Sequence, residues 1–338
     1  MSGMANEALP SKGDPSSGPL AGGWIARQMA PDGSLRGAAS INDYYKAVAG
    51  LAAAGRQLES ERLLDFIAGR FLRPGGDLDG TGCAWFDRFR IYPHAWLLIG
   101  AVLRGRFDLV ATWSRWILEF QDPEGGGFFR SLEDRQRRGE QEMMTTGLAA
   151  IALLWAGQTG PALRAGHWFR RLWEAQPDVS RHLHFTWNCQ GGLVTNFPAE
   201  KATEYAVDCG KPSQWYFQYG IAAALSAGLF GATGDRSWLA LGRSYLDATR
   251  FCQEDVYRRG ASGKIGWGAA WMYRVTREAA DRKIAATVWD NLRAAQHPEG
   301  WWQLDSIYSR EPAREGVGQI DLTAEFAALQ SWMGDALA

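Results

Sequence analysis

Six short clusters of acidic, aromatic, imidazole and amide side chains punctuate this sequence, each at the front of an apolar, helix-like run. They are Asp43, Tyr44 and Tyr45; Tyr92 and His94; Glu142 and Thr145; Gln214, Trp215 and Tyr219; Lys264 and Trp267; and Asp321, Thr323 and Glu325. Two chemistries suit such a set. In the first, a desolvated carboxylic acid with a raised pKa protonates an alkene or epoxide, or shuttles a proton within a mostly apolar small molecule. Aromatic faces then stabilise the developing cation. Asp43, Asp321 and Glu325 are the candidate acids, His94 is a further catalytic candidate, and Tyr45, Trp215 and Trp267 are the stabilising walls. In the second, paired carboxylates or a His/Tyr pair cleave or epimerise a sugar stacked on Trp, which brings Tyr92, His184, Asn188 and Asp208 forward. The candidate binding surface is Tyr44, Tyr45, Tyr92, His184, Asn188, Trp215, Tyr219 and Trp267.

Each residue also has a purely structural reading. Asp43, Glu142 and Asp321 suit the first turn of a helix, where a carboxylate offsets the dipole. His94 follows Pro93 near a helix start and suits a hydrogen-bonded core histidine as well as a catalytic one. His182 and His184 share one face of a strand-like segment without a clear third ligand, so no metal is expected, nor any cofactor. Trp215, Tyr219 and Trp267 are the kind of residue that packs a helical wall, although in a cavity the same wall becomes the binding surface.

The elements that must position these groups follow from a recurring phrase. A helix-like run ends in Gln, a Pro/Gly/acidic turn follows, and a new apolar run begins: Gln28–Gly33 (QMAPDG), Gln121–Gly125 (QDPEG) and Gln296–Gly300 (QHPEG), with looser copies from Gln176 and Gln253. Arg73–Gly76 (RPGG) is a degenerate copy in the long gap between the first two. Such spacing, roughly 45 to 75 residues, marks a repeat of helical hairpins that bury their apolar faces only against their neighbours. Nearly charge-free runs at Asn42–Ala54, Arg90–Arg104, Glu142–Ala156, Ser213–Ala232, Gly263–Val275 and Gln319–Met333 read as inner helices. Amphipathic runs at Glu59–Leu72, Phe107–Phe120, Pro161–Ala175, Arg236–Cys252 and Glu278–Ala295 read as outer ones, the sixth outer helix lying around Trp24–Gln28. The expected fold is all-α, a single (α/α)6 toroid over residues 21–338 behind a flexible tail at 1–20. Inner helices then start at one end and collect their N-terminal dipoles around one mouth.

One segment departs from this pattern. Between 176 and 213 helical periodicity lapses, His182 to Asn188 alternates polar and apolar residues, and Gly191-Gly192 suggests a hairpin turn. A long insertion in a compact repeat domain is often a lid or binding loop.

The Gln-turn phrases, above all Gln121 with Gly127-Phe128 and Gln296 with Gly300-Trp301-Trp302, resemble the QW-type repeats of terpenoid cyclases and prenyltransferases. In those families a Gln and a following aromatic tie successive hairpins of an α/α toroid. Ala232–Leu239 (ATGDRSWL) is similar instead to the helix-connecting turn of six-hairpin sugar enzymes. The first resemblance implies a cyclase or isomerase of a terpenoid- or polyketide-like molecule. The second implies a glycoside hydrolase, lyase or epimerase, and a non-catalytic toroid that binds a hydrophobic ligand or partner is a third reading. The cyclase motifs themselves are missing: no Asp-x-Asp-Asp occurs, Asp77-Leu78-Asp79 being the nearest string, nor any Asp-Asp-x-x-Asp to hold magnesium and diphosphate. Asp208-Cys209 lacks the Asp-x-Cys spacing of the prenyltransferase zinc site. The cyclase reading is nonetheless taken as the main one, on the Gln-turn match, the apolar inner helices and the lack of an export signal.

Composition narrows the field. The net charge of −1, with signs interleaved, excludes a nucleic-acid footprint, and the Arg135–Arg138 stretch is flanked by acids. The longest apolar stretches fall short of the ~20 residues that span a bilayer. Cys83, Cys189, Cys209 and Cys252 form no C-x-x-C pair and read as reduced thiols of a cytoplasmic protein. Seventeen Trp demand either an aromatic-rich core or an aromatic cavity around a small-molecule substrate.

Overall fold

Helices alternate between two concentric rings. The computed structural model describes residues 17–303 and 319–338. Its helices are α1 (Ser17–Gln28), α2 (Ala47–Ala53), α3 (Gln57–Arg70), α4 (Tyr92–Arg104), α5 (Phe107–Leu118), α6 (Leu132–Arg137), α7 (Met143–Trp155), α8 (Thr159–Glu174), α9 (Phe217–Thr233), α10 (Ser237–Ala248), α11 (Gly263–Thr276), α12 (Ala279–Ala294) and α13 (Gln319–Leu337). The inner ring runs α2, α4, α7, α9, α11, α13 and closes where α13 packs on α2, while α1, α3, α5, α8, α10 and α12 surround it. This is the (α/α)6 toroid of six hairpins that the sequence predicts, with the short α6 as an extra turn.

Small residues let the inner helices approach closely. A methyl group on Gly220 would sit 1.9 Å from the Lys264 carbonyl oxygen, so α9 and α11 touch backbone to backbone. Gly50 of α2 meets the carbonyl of Ala324 on α13 in the same way, at 2.4 Å. These two contacts fix where α11 and α13 begin, and with them the side chains at their first turns.

Gln121 and Gln296 are staples between hairpins. Gln121 donates to the carbonyls of Gly126 (2.9 Å) and Pro161 (2.8 Å) and accepts from Arg164 (2.6 Å), so the turn after α5 is pinned to α8. Gln296 does the same at the ring closure, donating to Gly300 (2.9 Å) and Ser17 (3.0 Å) and accepting from the Ser17 hydroxyl (2.6 Å). Residues Met29/Leu35, Leu72/Leu78 and Gln121/Phe128 form the same antiparallel bridge after α1, α3 and α5, which makes Arg73–Gly76 a true copy of the turn.

Boundaries shift where side chains bind backbone. The run expected from Asn42 opens as a 3-10 turn, Ile41–Asp43, and α2 begins only at Ala47. The run expected from Ser213 begins at Phe217, because Ser213 adopts left-handed backbone (φ 58°) and donates its N–H to Asp255 (2.8 Å). At the N-terminus, α1 already includes residues 17–20; the remainder of the expected tail lies outside the described residues.

The 176–213 segment carries two small sheets. Strands β1 (Glu140–Glu142), β3 (Thr186–Asn188) and β4 (Gly192–Leu193) form one, in the order β1-β3-β4, and β3 and β4 make the hairpin expected at Gly191-Gly192. Strands β2 (His182–His184) and β5 (Ala206–Asp208) form the other. The expected single strand at 182–188 is thus split at Phe185, whose buried ring turns into the core.

The tryptophans are in the core or packed against it. Trp96 of α4, Trp155 of α7, Trp267 and Trp271 of α11 and Trp332 of α13 pack together, with ring centroids between 5.0 Å (Trp267–Trp271) and 6.3 Å (Trp96–Trp332). They pack across the inner ring, and space remains toward the N-terminal ends of its helices.

Candidate functional site

That remaining space is a cavity of about 530 Å³ lined from all six inner helices or the turns before them: Lys46, Tyr92, Met144, Phe217, Lys264 and Asp321. It lies at the mouth the sequence predicts, and its floor is a buried cluster of four charges. Lys46 precedes α2, Lys264 is in the first turn of α11, and Asp321 and Glu325 stand one turn apart on α13. The Lys46 ammonium donates to Asp321 Oδ2 (2.7 Å) and pairs with Glu325 Oε2 (2.8 Å), while Lys264 pairs with Glu325 Oε1. Two positive and two negative groups balance, which is how such a cluster tolerates burial.

The two carboxylates are not equivalent. Burial works to raise Glu325, but Lys264 and Lys46 overcome it and hold the group at about 2. Burial prevails at Asp321, whose pKa is raised despite Lys46, with Glu325 nearby adding to the rise. Asp321 Oδ1 is buried without a hydrogen-bond partner among the described residues. Burial opposes the charge on Lys46, yet Asp321 and Glu325 raise its pKa well above the usual value, so it stays an ammonium. The floor therefore offers one acid held ionised by two ammonium groups, one acid whose proton is held more tightly than usual, and an ammonium beside it.

Aromatic walls rise from this floor. Trp85 donates its indole N–H to Asn42 Oδ1 (3.0 Å) and packs edge-on against Tyr45 (5.7 Å) and Tyr92 (6.2 Å). Opposite them, Trp215 stacks on Phe217 (5.7 Å), and the strap that carries it is held by Asp255, which accepts from both the Ser213 N–H and the Tyr216 hydroxyl (2.8 Å each). A second, more polar cavity of about 650 Å³ adjoins the first, and Arg88, paired with Glu204 at 2.7 Å, lines both.

The cavity thus gathers Asp43, Asp321, Glu325, Tyr45, Tyr92 and Trp215 from the sequence-derived candidates. Asp43 is nonetheless committed to the backbone, accepting from the Ala39 (2.9 Å) and Ser40 (3.3 Å) N–H groups. Glu142 likewise caps α7 through Thr145 (2.5 Å) and Met144 (2.8 Å).

The other candidates lie elsewhere. His94 is fully buried, with Nδ1 2.9 Å from the Arg90 carbonyl and Nε2 3.4 Å from Asp77, and it packs between Phe86 and Trp116. Burial lowers its pKa, which makes it the core histidine of the structural reading. Tyr44 points away and packs on Phe66 and Phe71. Tyr219 contacts two cysteines, and Trp267 belongs to the tryptophan cluster in the lumen. His184 packs on Phe197, while Asn188 lines the second cavity and shapes the β3–β4 turn by accepting from Gln190 and Gly191.

Lys46, Trp85, Phe89, Phe217, Arg88 and Glu204 are lining residues that the sequence reading missed. Lys46 did carry a signal, as the single charge between Asp43 and a charge-free apolar run. Trp85 and Phe89 lie between regular elements, where no periodicity points inward.

No protein-family model matches this sequence, nor does any curated protein. Solved structures do match in shape. A D-mannose isomerase superposes with a TM-score of 0.67 over 96% of this chain and 99% of its own, at 10% identity. A GH76 α-mannanase of Bacteroides thetaiotaomicron gives a TM-score of 0.61 over 95% of this chain and 94% of its own, at 14% identity. An inactive variant of a Salegentibacter GH76 α-1,6-mannanase, in complex with α-1,6-mannotriose, gives 0.61 over 95% and 98%, at 13% identity. These neighbours are carbohydrate-active enzymes, so the likeness supports the six-hairpin alternative and leaves the terpenoid-cyclase resemblance without a counterpart among them. The chain has the six-hairpin (α/α)6 toroid fold that these structures share.

Proposed function

We propose that this protein is an isomerase or epimerase that moves a proton within a small sugar-like hydroxy-carbonyl compound. The observation that carries the reading is the floor, where Asp321 has a buried oxygen with no hydrogen-bond partner among the described residues, beside the Lys46 ammonium. Proton removal next to a carbonyl needs a carboxylate base and a cation to stabilise the oxyanion that forms. Asp321 takes the proton from the carbon and returns it to the neighbouring carbon or the opposite face. Lys46 faces the developing enediolate oxygen, Lys264 and Glu325 keep Lys46 in place, and the indoles of Trp85 and Trp215 offer faces to a pyranose.

Two features favour this over the alternatives. An apolar cyclase pocket has no use for four charges on its floor. A hydrolase like the mannanase is inactivated when two consecutive aspartates are replaced, and this chain has no two consecutive aspartates anywhere.

The test is to incubate the purified protein with a panel of aldoses and ketoses in D2O and follow deuterium entry beside the carbonyl by NMR. Exchange is expected with at least one sugar, and Asp321→Asn should lower it by roughly 10²–10⁴-fold. Absence of exchange across the panel, or an unaffected Asp321→Asn, refutes the proposal.

A further inference from the structure

Behind the Trp215–Phe217 wall lies a cluster that the sugar chemistry does not use. The sulfurs of Cys209 and Cys252 are 3.5 Å apart, and the Tyr219 hydroxyl touches both, at 3.6 and 3.5 Å. Cys209 directly follows β5 in the inserted segment, whereas Cys252 follows α10 on the outer ring, 43 residues later. Gln253 already joins the two segments by donating to the Cys209 carbonyl (3.3 Å).

We propose that Cys209 and Cys252 form a reversible disulfide site that locks the 176–213 segment to the outer ring when the protein meets hydrogen peroxide. Bond formation requires the sulfurs to close from 3.5 Å to about 2.0 Å. In the first step the Cys209 thiolate attacks a peroxide oxygen, giving a sulfenic acid and releasing hydroxide. The Cys252 thiol then attacks that sulfur, the S–S bond forms, and the hydroxyl leaves as water with the Cys252 proton. The balance is two thiols and one peroxide to one disulfide and two waters.

Selectivity is built into the surroundings. The hydrogen bond from Cys252, working against burial, lowers Cys209 below the ordinary thiol value, while the same bond pushes Cys252 up, so Cys209 is the one that ionises first. Cys83 and Cys189 are both pushed up to about 11, foremost by burial, and so present little thiolate. Cys209 itself is buried and an oxidant reaches it past the half-buried Cys252, and the Tyr219 hydroxyl can hold the Cys209 thiolate until the partner attacks.

The experiment uses the full chain and is independent of the sugar-enzyme reading. Protein treated with peroxide is alkylated with iodoacetamide and mapped by mass spectrometry without reductant. The expected result is a linked Cys209–Cys252 peptide, with Cys83 and Cys189 alkylated, dithiothreitol reversing the link, and a higher melting temperature for the oxidised form. In Cys252→Ser, Cys209 should stop at the sulfenic acid and be trapped by dimedone. Alkylation of all four thiols after peroxide, or a link through Cys83 or Cys189, overturns the proposal.

Discussion

Asp321 and Glu325 are separated by one helical turn and share a lysine, yet their proton affinities move in opposite directions. The difference is the number of cations: Glu325 has two and Asp321 one. Glu325 therefore stabilises the folded protein fully above its ordinary value of 4.5, and that contribution is lost as pH falls toward about 2. Thermal melts between pH 5 and pH 2.5 should show this loss, and Glu325→Gln should flatten that part of the curve. The same substitution leaves two buried ammonium groups facing Asp321 alone, a change expected to cost about 3–5 kcal/mol by urea titration. Activity should follow the other acid. If Asp321 must be ionised to take a proton, kcat/KM should fall on the acid side at a pH above the ordinary Asp value, because burial raises its pKa. A profile flat to pH 4 would remove Asp321 as the base. The sequence showed both acids but not this division of labour. Lys46 reads as one more lysine near a helix start until the ring brings α13 beside it, and the pKa logic depends on that long-range meeting.

At the level of elements, the glutamine staples explain why the helix register was so legible. Each is local to its turn, and Gln121 reads its own Gly126 carbonyl as well as that of Pro161 on the next hairpin. Helix starts and stops therefore recur with a sequence mark. Gln121→Ala removes the hydrogen bonds that tie the Gly126 turn to Pro161 and Arg164 of α8 and should destabilise by about 1–3 kcal/mol in denaturant. Gln28→Ala should cost far less, since among the described residues the Gln28 side chain reaches only the Trp24 carbonyl of its own helix, at 3.4 Å. Equal effects would show that the phrase marks the turn without tying hairpins. Site residues were less legible for a related reason. Helical period gives the face of a side chain but not its depth along the lumen: Lys264 and Trp267 share a face of α11, yet one reaches the cavity and the other the tryptophan cluster. Lining residues between elements, Trp85 and Phe89 above all, have no period to betray them.

For the molecule as a whole, the tryptophan cluster converts an open ring into a cup. Trp267→Ala should cost about 3–5 kcal/mol of stability, because its buried ring meets Trp271 and Trp332 from two helices. It should also deepen the cavity, readable as binding of a small aromatic probe that the parent protein refuses. The adjoining polar cavity and its shared Arg88 suggest a measurement at the same scale. If a substrate extends from one chamber into the other, Arg88→Ala should raise KM for a disaccharide more than for a monosaccharide.

The four-charge floor has one more consequence, for the order in which the chain emerges from the ribosome. Lys46 is made early and Lys264 late, but both counter-charges sit on α13, the last helix of the ring. Until α13 is released, any partly folded ring must either bury two ammonium groups without acids or leave its mouth open to water. The cluster therefore couples synthesis of α13 to closure of the ring, and a nascent chain halted before α13 should remain sensitive to protease around α2 and α11 until that helix is supplied.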